Sequence, residues 1–85
     1  MKKQHILYRR DYCGFCGRVE GVIKKLNIEI ELRDIWEDDA SYDELEAATG
    51  RGAVPVLRIV DEQGQSKWLP ESIDIANYLI AEFAS

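Results

Sequence analysis

Hydrophobic and polar residues change their period several times along this chain, and each change predicts an element. His5-Ile6-Leu7-Tyr8-Arg9 is apolar in the middle and closed by charge, the pattern of a short first strand. After Cys13-Gly14-Phe15, the period becomes helical. Cys16, Val19, Ile23 and Leu26 recur at spacings of three and four, with Val22 on the same side, while Arg18, Glu20, Lys24 and Lys25 take the other face. This predicts an amphipathic helix of about three turns that stops at Asn27. Ile28, Ile30 and Leu32 then alternate with Glu29, Glu31 and Arg33, which predicts a second strand. Residues 34–40 are acidic and read as a loop.

Ser41-Tyr42-Asp43-Glu44 has the spacing of a capping box, so a second helix is expected to start there, run to about Ala48 and end at Gly50. Val54-Pro55 opens a third strand through Val60, because proline is tolerated where a strand begins. Asp61-Glu62-Gln63-Gly64 predicts a hairpin turn, and Gln65 to Leu69 the returning strand. Pro70-Glu71-Ser72 leads into a last helix with Ile75, Ala76, Leu79 and Phe83 on one face. The order is β-α-β-α-β-β-α. Helical crossovers make the strands they join parallel, and the hairpin adds an antiparallel one. An α/β fold follows, a four-stranded mixed sheet with three helices.

Composition narrows the reading further. Eighty-five residues, 46% hydrophobic and 32% charged, make one ordinary globular domain over 1–85. The net charge of −5 argues against nucleic acid or an anionic membrane as a partner, since both need a clustered basic face. No apolar run approaches the ~20 residues of a membrane span. The stretch Ile6-Leu7-Tyr8 between the lysines and Arg9-Arg10 is too short for a signal-peptide core, so a cytoplasmic location is expected. In that reducing compartment a cysteine pair is more often catalytic or metal-binding than structural.

The chain's two cysteines, Cys13 and Cys16, stand at the strand-to-helix junction. Thiol–disulfide exchange needs a thiolate. A helix N-terminus offers unpaired N–H groups and a partial positive charge, and cysteines so placed ionise at roughly pH 3.5–7.5. Cys13 is therefore expected at the cap, accepting from first-turn amides, with Arg10 favouring the same form. Cys16 lies about one turn on, more buried and less ionised. Gly14 allows a tight start to the helix and Phe15 points outward. Zinc needs three or four ligands and only His5 could join the cysteines, so no metal site is expected. Haem attachment fails because Gly17, not histidine, follows Cys16. Redox chemistry is the reading that remains.

Tyr12-Cys13-Gly14-Phe15-Cys16 after the first strand, Val54-Pro55 before the third and the β-β-α ending together resemble a glutaredoxin of the thioredoxin superfamily, from about His5 to Phe83. The resemblance implies a thioredoxin-like fold and glutathione as co-substrate. It also implies a cis Val54–Pro55 bond, with the Val54 backbone pairing with the cysteinyl part of glutathione and Pro55 beside Cys13. Leu69-Pro70-Glu71-Ser72 is similar instead to the N-terminal domain of glutathione S-transferases, where a Glu-Ser pair holds the γ-glutamyl end. Ser72 would offer a hydroxyl and an amide to a carboxylate and Glu71 would accept from the ammonium. The bland alternative is that Ser72 is only an N-cap and Glu71 a favourable first-turn charge.

Two departures matter. Cys-Gly-Phe are the first three residues of the monothiol Cys-Gly-Phe-Ser branch, which bridges iron–sulfur clusters in dimers, so a cluster held by Cys13 and glutathione is a secondary reading. Ala53 stands where a threonine is common, which loses one polar contact.

By the resemblance, Arg10 pairs with the glycyl carboxylate of glutathione, with Arg9 and Arg51 as alternatives. Tyr12 either walls the groove or covers the core edge. Trp36 and Trp68 read as packing residues, and His5 as structural. The expected activity is reduction of protein–glutathione mixed disulfides and protein disulfides by a monomer, through Cys13, resolved by glutathione or Cys16. The rivals are a thioredoxin-like reductase, a non-catalytic glutathione-binding module and an iron–sulfur carrier.

Overall fold

The computed structural model describes residues 3–84. The elements follow the predicted order: β1 (Gln4–Arg9), α1 (Gly14–Leu26), β2 (Glu31–Asp34), α2 (Asp39–Thr49), β3 (Val56–Val60), β4 (Ser66–Leu69) and α3 (Ser72–Phe83). The strands form one mixed sheet in the order β2-β1-β3-β4. This is the thioredoxin-like architecture that the resemblance implies.

Alternation along the central strands sends side chains to two separate cores. Leu7, Leu57 and Ile59 meet Val19, Ile75 and Leu79 on the face covered by α1 and α3. Ile6, Tyr8 and Val56 meet Ile35 and Leu45 on the face covered by α2. The sheet is therefore sandwiched, and β1 is buried on both sides: Ile6, Leu7 and Tyr8 are all inaccessible to solvent or nearly so.

β1 and β2 are parallel, as the crossover rule requires, with Leu7 opposite Leu32. The expectation that β3 would also be parallel is corrected. β3 takes the open edge of β1 and runs antiparallel to it, with Tyr8 opposite Val56 and Gln4 opposite Val60. β3 therefore begins where β1 ends. That direction brings Val54 and Pro55 beside the segment that follows β1, which contains Cys13.

Boundaries differ in two places. The β2 ladder starts at Glu31, so Ile28 and Ile30 pack on the α1 face as an extended lead-in and Leu32 is half exposed at the sheet edge. α2 starts at Asp39 rather than Ser41, with Asp38 as N-cap. Ser41 lies inside the first turn, buried, and its hydroxyl donates to the Asp38 carboxylate at 2.7 Å. The expected closures hold: Asn27 and Gly50 end their helices in the left-handed region, at φ 56° and 81°, and Gly64 turns the hairpin at φ 80°.

Candidate functional site

β1 ends at Arg9, and four residues later the chain must start α1. Tyr12 makes the turn in the left-handed region, at φ 58°, with its ring 94% exposed. It covers no core edge. Cys13 is then the N-cap of α1 in extended conformation, and its sulfur accepts the Cys16 N–H at 3.2 Å. A cap acceptor satisfies an amide that the helix leaves unpaired. No acidic residue stands in the first turn, so the positive pole of the helix is not cancelled at the sulfur, and Lys24 and Lys25 in the last turn offset the negative pole at the far end.

Cys16 points the other way. It is fully buried, and its thiol is pushed up to about 12. Burial is the main cause, followed by its hydrogen bond with Cys13; a hydrogen bond with the Arg10 backbone opposes them. At neutral pH Cys16 is an S–H group. Both cysteines are free thiols, Cys13 partly exposed.

The Val54–Pro55 bond is cis. The Cys13 sulfur faces the Val54 carbonyl at 4.0 Å, and the Val54 N–H has no partner among the described residues. Beside this contact lies a cleft of about 160 Å³. Phe15, Arg51, Val54, Pro55, Glu71 and Ser72 line it. Gly52, next to Arg51, packs directly against the Tyr42 ring, where a Cβ would clash. That close approach ties the Arg51 loop to α2.

The cleft gathers five of the expected contact residues: Phe15, Val54, Pro55, Glu71 and Ser72. Glu71, not Ser72, is the N-cap of α3, and its carboxylate makes no capping bond. Ser72 is the first helical residue. Tyr12 and Arg10 are not among the lining residues. Arg10 folds back, its Nη1 donating to the carbonyls of Asp11 at 3.0 Å and Tyr12 at 3.1 Å. Arg9 is held by Asp34, Glu20 and Asp11 at 2.6, 3.0 and 3.2 Å. Of the three arginines considered from sequence, Arg51 alone lines the cleft. The sequence signal for it was its position in the loop before Val54-Pro55.

Other side chains fall outside the site. His5 bonds Tyr78 at 2.8 Å and meets Phe83 edge-on, a structural role. Trp68 packs on Tyr8, whereas Trp36 is 59% exposed and stacks under Arg10, which corrects its reading as a packing residue. A wider groove of about 770 Å³ runs between α1 and β2, lined by Ile23, Ile28 and Ile30 among others, and shares no lining residue with the cleft at Val54. No helix among the described residues is long and apolar enough to cross a membrane.

The glutaredoxin family model matches residues 6–63, a span that includes most of β1, both cysteines and the cis-proline strand. The chain belongs to the glutaredoxin family. Glutaredoxin 2 of Escherichia coli K12 is 32% identical over 73 residues, which are 86% of this chain and 31% of that protein. The chain thus spans about a third of the length of the curated relatives it matches. Among solved structures, the fold is shared with an isomerase and with glutathione transferases. A maleylacetoacetate isomerase from Anaeromyxobacter dehalogenans, solved with dicarboxyethyl glutathione and citrate, superposes with TM-score 0.73 at 22% identity over 99% of this chain and 39% of its own. Glutathione transferase Omega 2S from Trametes versicolor gives 0.77 at 16% identity, over 99% of this chain and 38% of its own. This glutaredoxin-family domain carries Cys13 and Cys16 at one helix start and Glu71-Ser72 at another, on a fold shared with these two structures.

Proposed function

We propose that this chain carries out glutathione-linked thiol–disulfide exchange with Cys13 as the nucleophile. The observation that carries the reading is the placement of the Cys13 sulfur: it caps α1 and lies beside a cleft with Arg51 and Glu71 in its wall. Glutathione has complementary chemistry. Its glycyl carboxylate suits Arg51, and the Val54 carbonyl together with its unpaired N–H suits the backbone of the cysteinyl part. Its γ-glutamyl ammonium and carboxylate suit Glu71 and the Ser72 end of α3.

In the proposed reaction the Cys13 thiolate attacks the glutathione sulfur of a mixed disulfide. The S–S bond breaks, the other thiol leaves as a thiolate and takes a proton, and glutathione remains on Cys13. A second glutathione thiolate attacks that bond, releasing glutathione disulfide and restoring the Cys13 thiolate. In sum, one glutathione thiol is consumed, the substrate thiol is released, and the disulfide bond ends in glutathione disulfide. Cys16, buried and protonated, is suited to resolving a bulky protein mixed disulfide but is not needed for the glutathione route.

The test is a glutathione-coupled assay on a glutathionylated peptide with wild type, Cys13→Ser and Cys16→Ser. The expected result is loss of turnover in C13S and retention in C16S. Retained turnover in C13S would rule out the mechanism, and glutathione binding without turnover in wild type would reduce the chain to a binding module.

A further inference from the structure

Arg10 and Trp36 leave the cleft unserved yet are bound to each other and to the turn before the nucleophile. The Arg10 guanidinium lies 4.8 Å above the Trp36 ring and donates through one nitrogen to the carbonyls of both Asp11 and Tyr12. Trp36 is itself fixed from below. Its backbone N–H donates to Asp34 Oδ1 at 2.8 Å, and Asp34 pairs through its other oxygen with Arg9 at 2.6 Å. The chain of contacts runs Arg9–Asp34–Trp36–Arg10 and ends on the peptides that flank the left-handed Tyr12.

A non-glycine residue at φ 58° persists only where its surroundings hold it. Tyr12 receives no such hold from its own side chain, which is almost wholly in solvent. The hold comes from Arg10, whose two hydrogen bonds fix the carbonyls on either side of the turn. The next residue is Cys13, whose extended conformation and cap bond to Cys16 N–H depend on how Tyr12 delivers the chain.

We infer that Arg10, stacked on Trp36, is a positioning residue that holds the Tyr12 turn and thereby sets the Cys13 sulfur at the helix cap, rather than a ligand of the glutathione carboxylate. The inference rests on Cys13 being the nucleophile. It differs from a simple charge effect in one respect: Trp36 carries no charge, yet its ring orients the guanidinium.

The test uses the full chain with Arg10→Met, Arg10→Lys and Trp36→Leu, each checked for native far-UV circular dichroism. Cys13 alkylation by iodoacetamide at pH 7 is read by mass spectrometry, and KM for glutathione is measured beside it. R10M is expected to slow alkylation about fivefold, the equivalent of losing one helix cap. W36L, which keeps the arginine and its charge, is expected to slow it about two- to threefold. R10K restores the charge without the planar fork and is expected to fall between R10M and wild type. KM for glutathione stays within about twofold in all three. Alkylation of W36L at the wild-type rate would overturn the positioning role, as would a raised KM in R10M with alkylation unchanged. Because alkylation needs no turnover, the alkylation rates test the positioning role apart from the activity of the wild-type chain, whose absence would count against the proposed function alone.

Discussion

Cys16 donates its backbone N–H to the sulfur of Cys13 across 3.2 Å while its own thiol is sealed in the core. Two chemically identical side chains one helical turn apart are thereby made unlike. With Cys16 pushed up to about 12, chiefly by burial, only Cys13 is expected to react near neutrality. Iodoacetamide at pH 7 should give one adduct, on Cys13, and native C13S should give none. Cys16 should label only once denaturant opens the fold. Early labelling of Cys16 in the native protein would contradict the assignment.

Arg51 is the cation of the cleft wall, and its side chain pairs with no carboxylate among the described residues. Arg51→Ala is expected to raise KM for a glutathione mixed disulfide about fivefold, the scale of one exposed ionic contact, with kcat nearly unchanged. The matching change at Arg10 should lower the rate of Cys13 chemistry and spare KM. A steady-state comparison of R51A and R10M separates a binding role from a positioning one.

Stability should depend most on the core face shared by the sheet, α1 and α3. Leu79 is fully buried there against Leu7, Leu57 and Val19. Leu79→Ala is expected to cost about 3 kcal/mol through lost burial and an unfilled cavity. In a domain of this size that is a large share of the total, and it should move the urea midpoint clearly. Phe15→Ala, on an exposed ring, should leave the midpoint almost unchanged.

His5 gives a pH test with a definite sign. Burial lowers its pKa below the ordinary 6.5, with Glu82 opposing and Lys3 assisting. The unfolded chain then binds this proton more readily than the folded one. The favourable contribution is complete above about pH 6.5 and is lost as pH falls through the lowered folded value. The drop in urea midpoint between pH 7.5 and 5.5 should therefore be smaller in His5→Phe than in wild type. An equal drop in both would show that His5 does not couple to folding.

Much of this was legible in the sequence where the cause is local. Gly64 and Gly50 mark positive φ, the spacing from Cys16 to Leu26 marks the α1 face, and the junction before Gly14 marks the cap that Cys13 fills. What failed was decided by partners distant in sequence. Ser41 has the residues of a capping box, yet the helix starts two residues earlier and its hydroxyl turns to Asp38. The alternation at Ile28 and Ile30 reports burial against α1, but the ladder with β1 begins only at Glu31. The stacking of Arg10 on Trp36 and its return to the carbonyls of Asp11 and Tyr12 left no sequence signal, because nothing in the sequence places Trp36 beneath it. The direction of β3, which brings Val54 to Cys13, depends on which edge of β1 is open, and no periodicity encodes that.

The central claim is that the cleft turns the glutathione half of a mixed disulfide toward Cys13. A single-turnover reaction of Cys16→Ser with a glutathionylated peptide, quenched with acid and read by intact mass, tests it directly. The account predicts glutathione bound to Cys13 and the peptide released with a free thiol. Peptide bound to Cys13 with glutathione released, or no adduct at all, would contradict it.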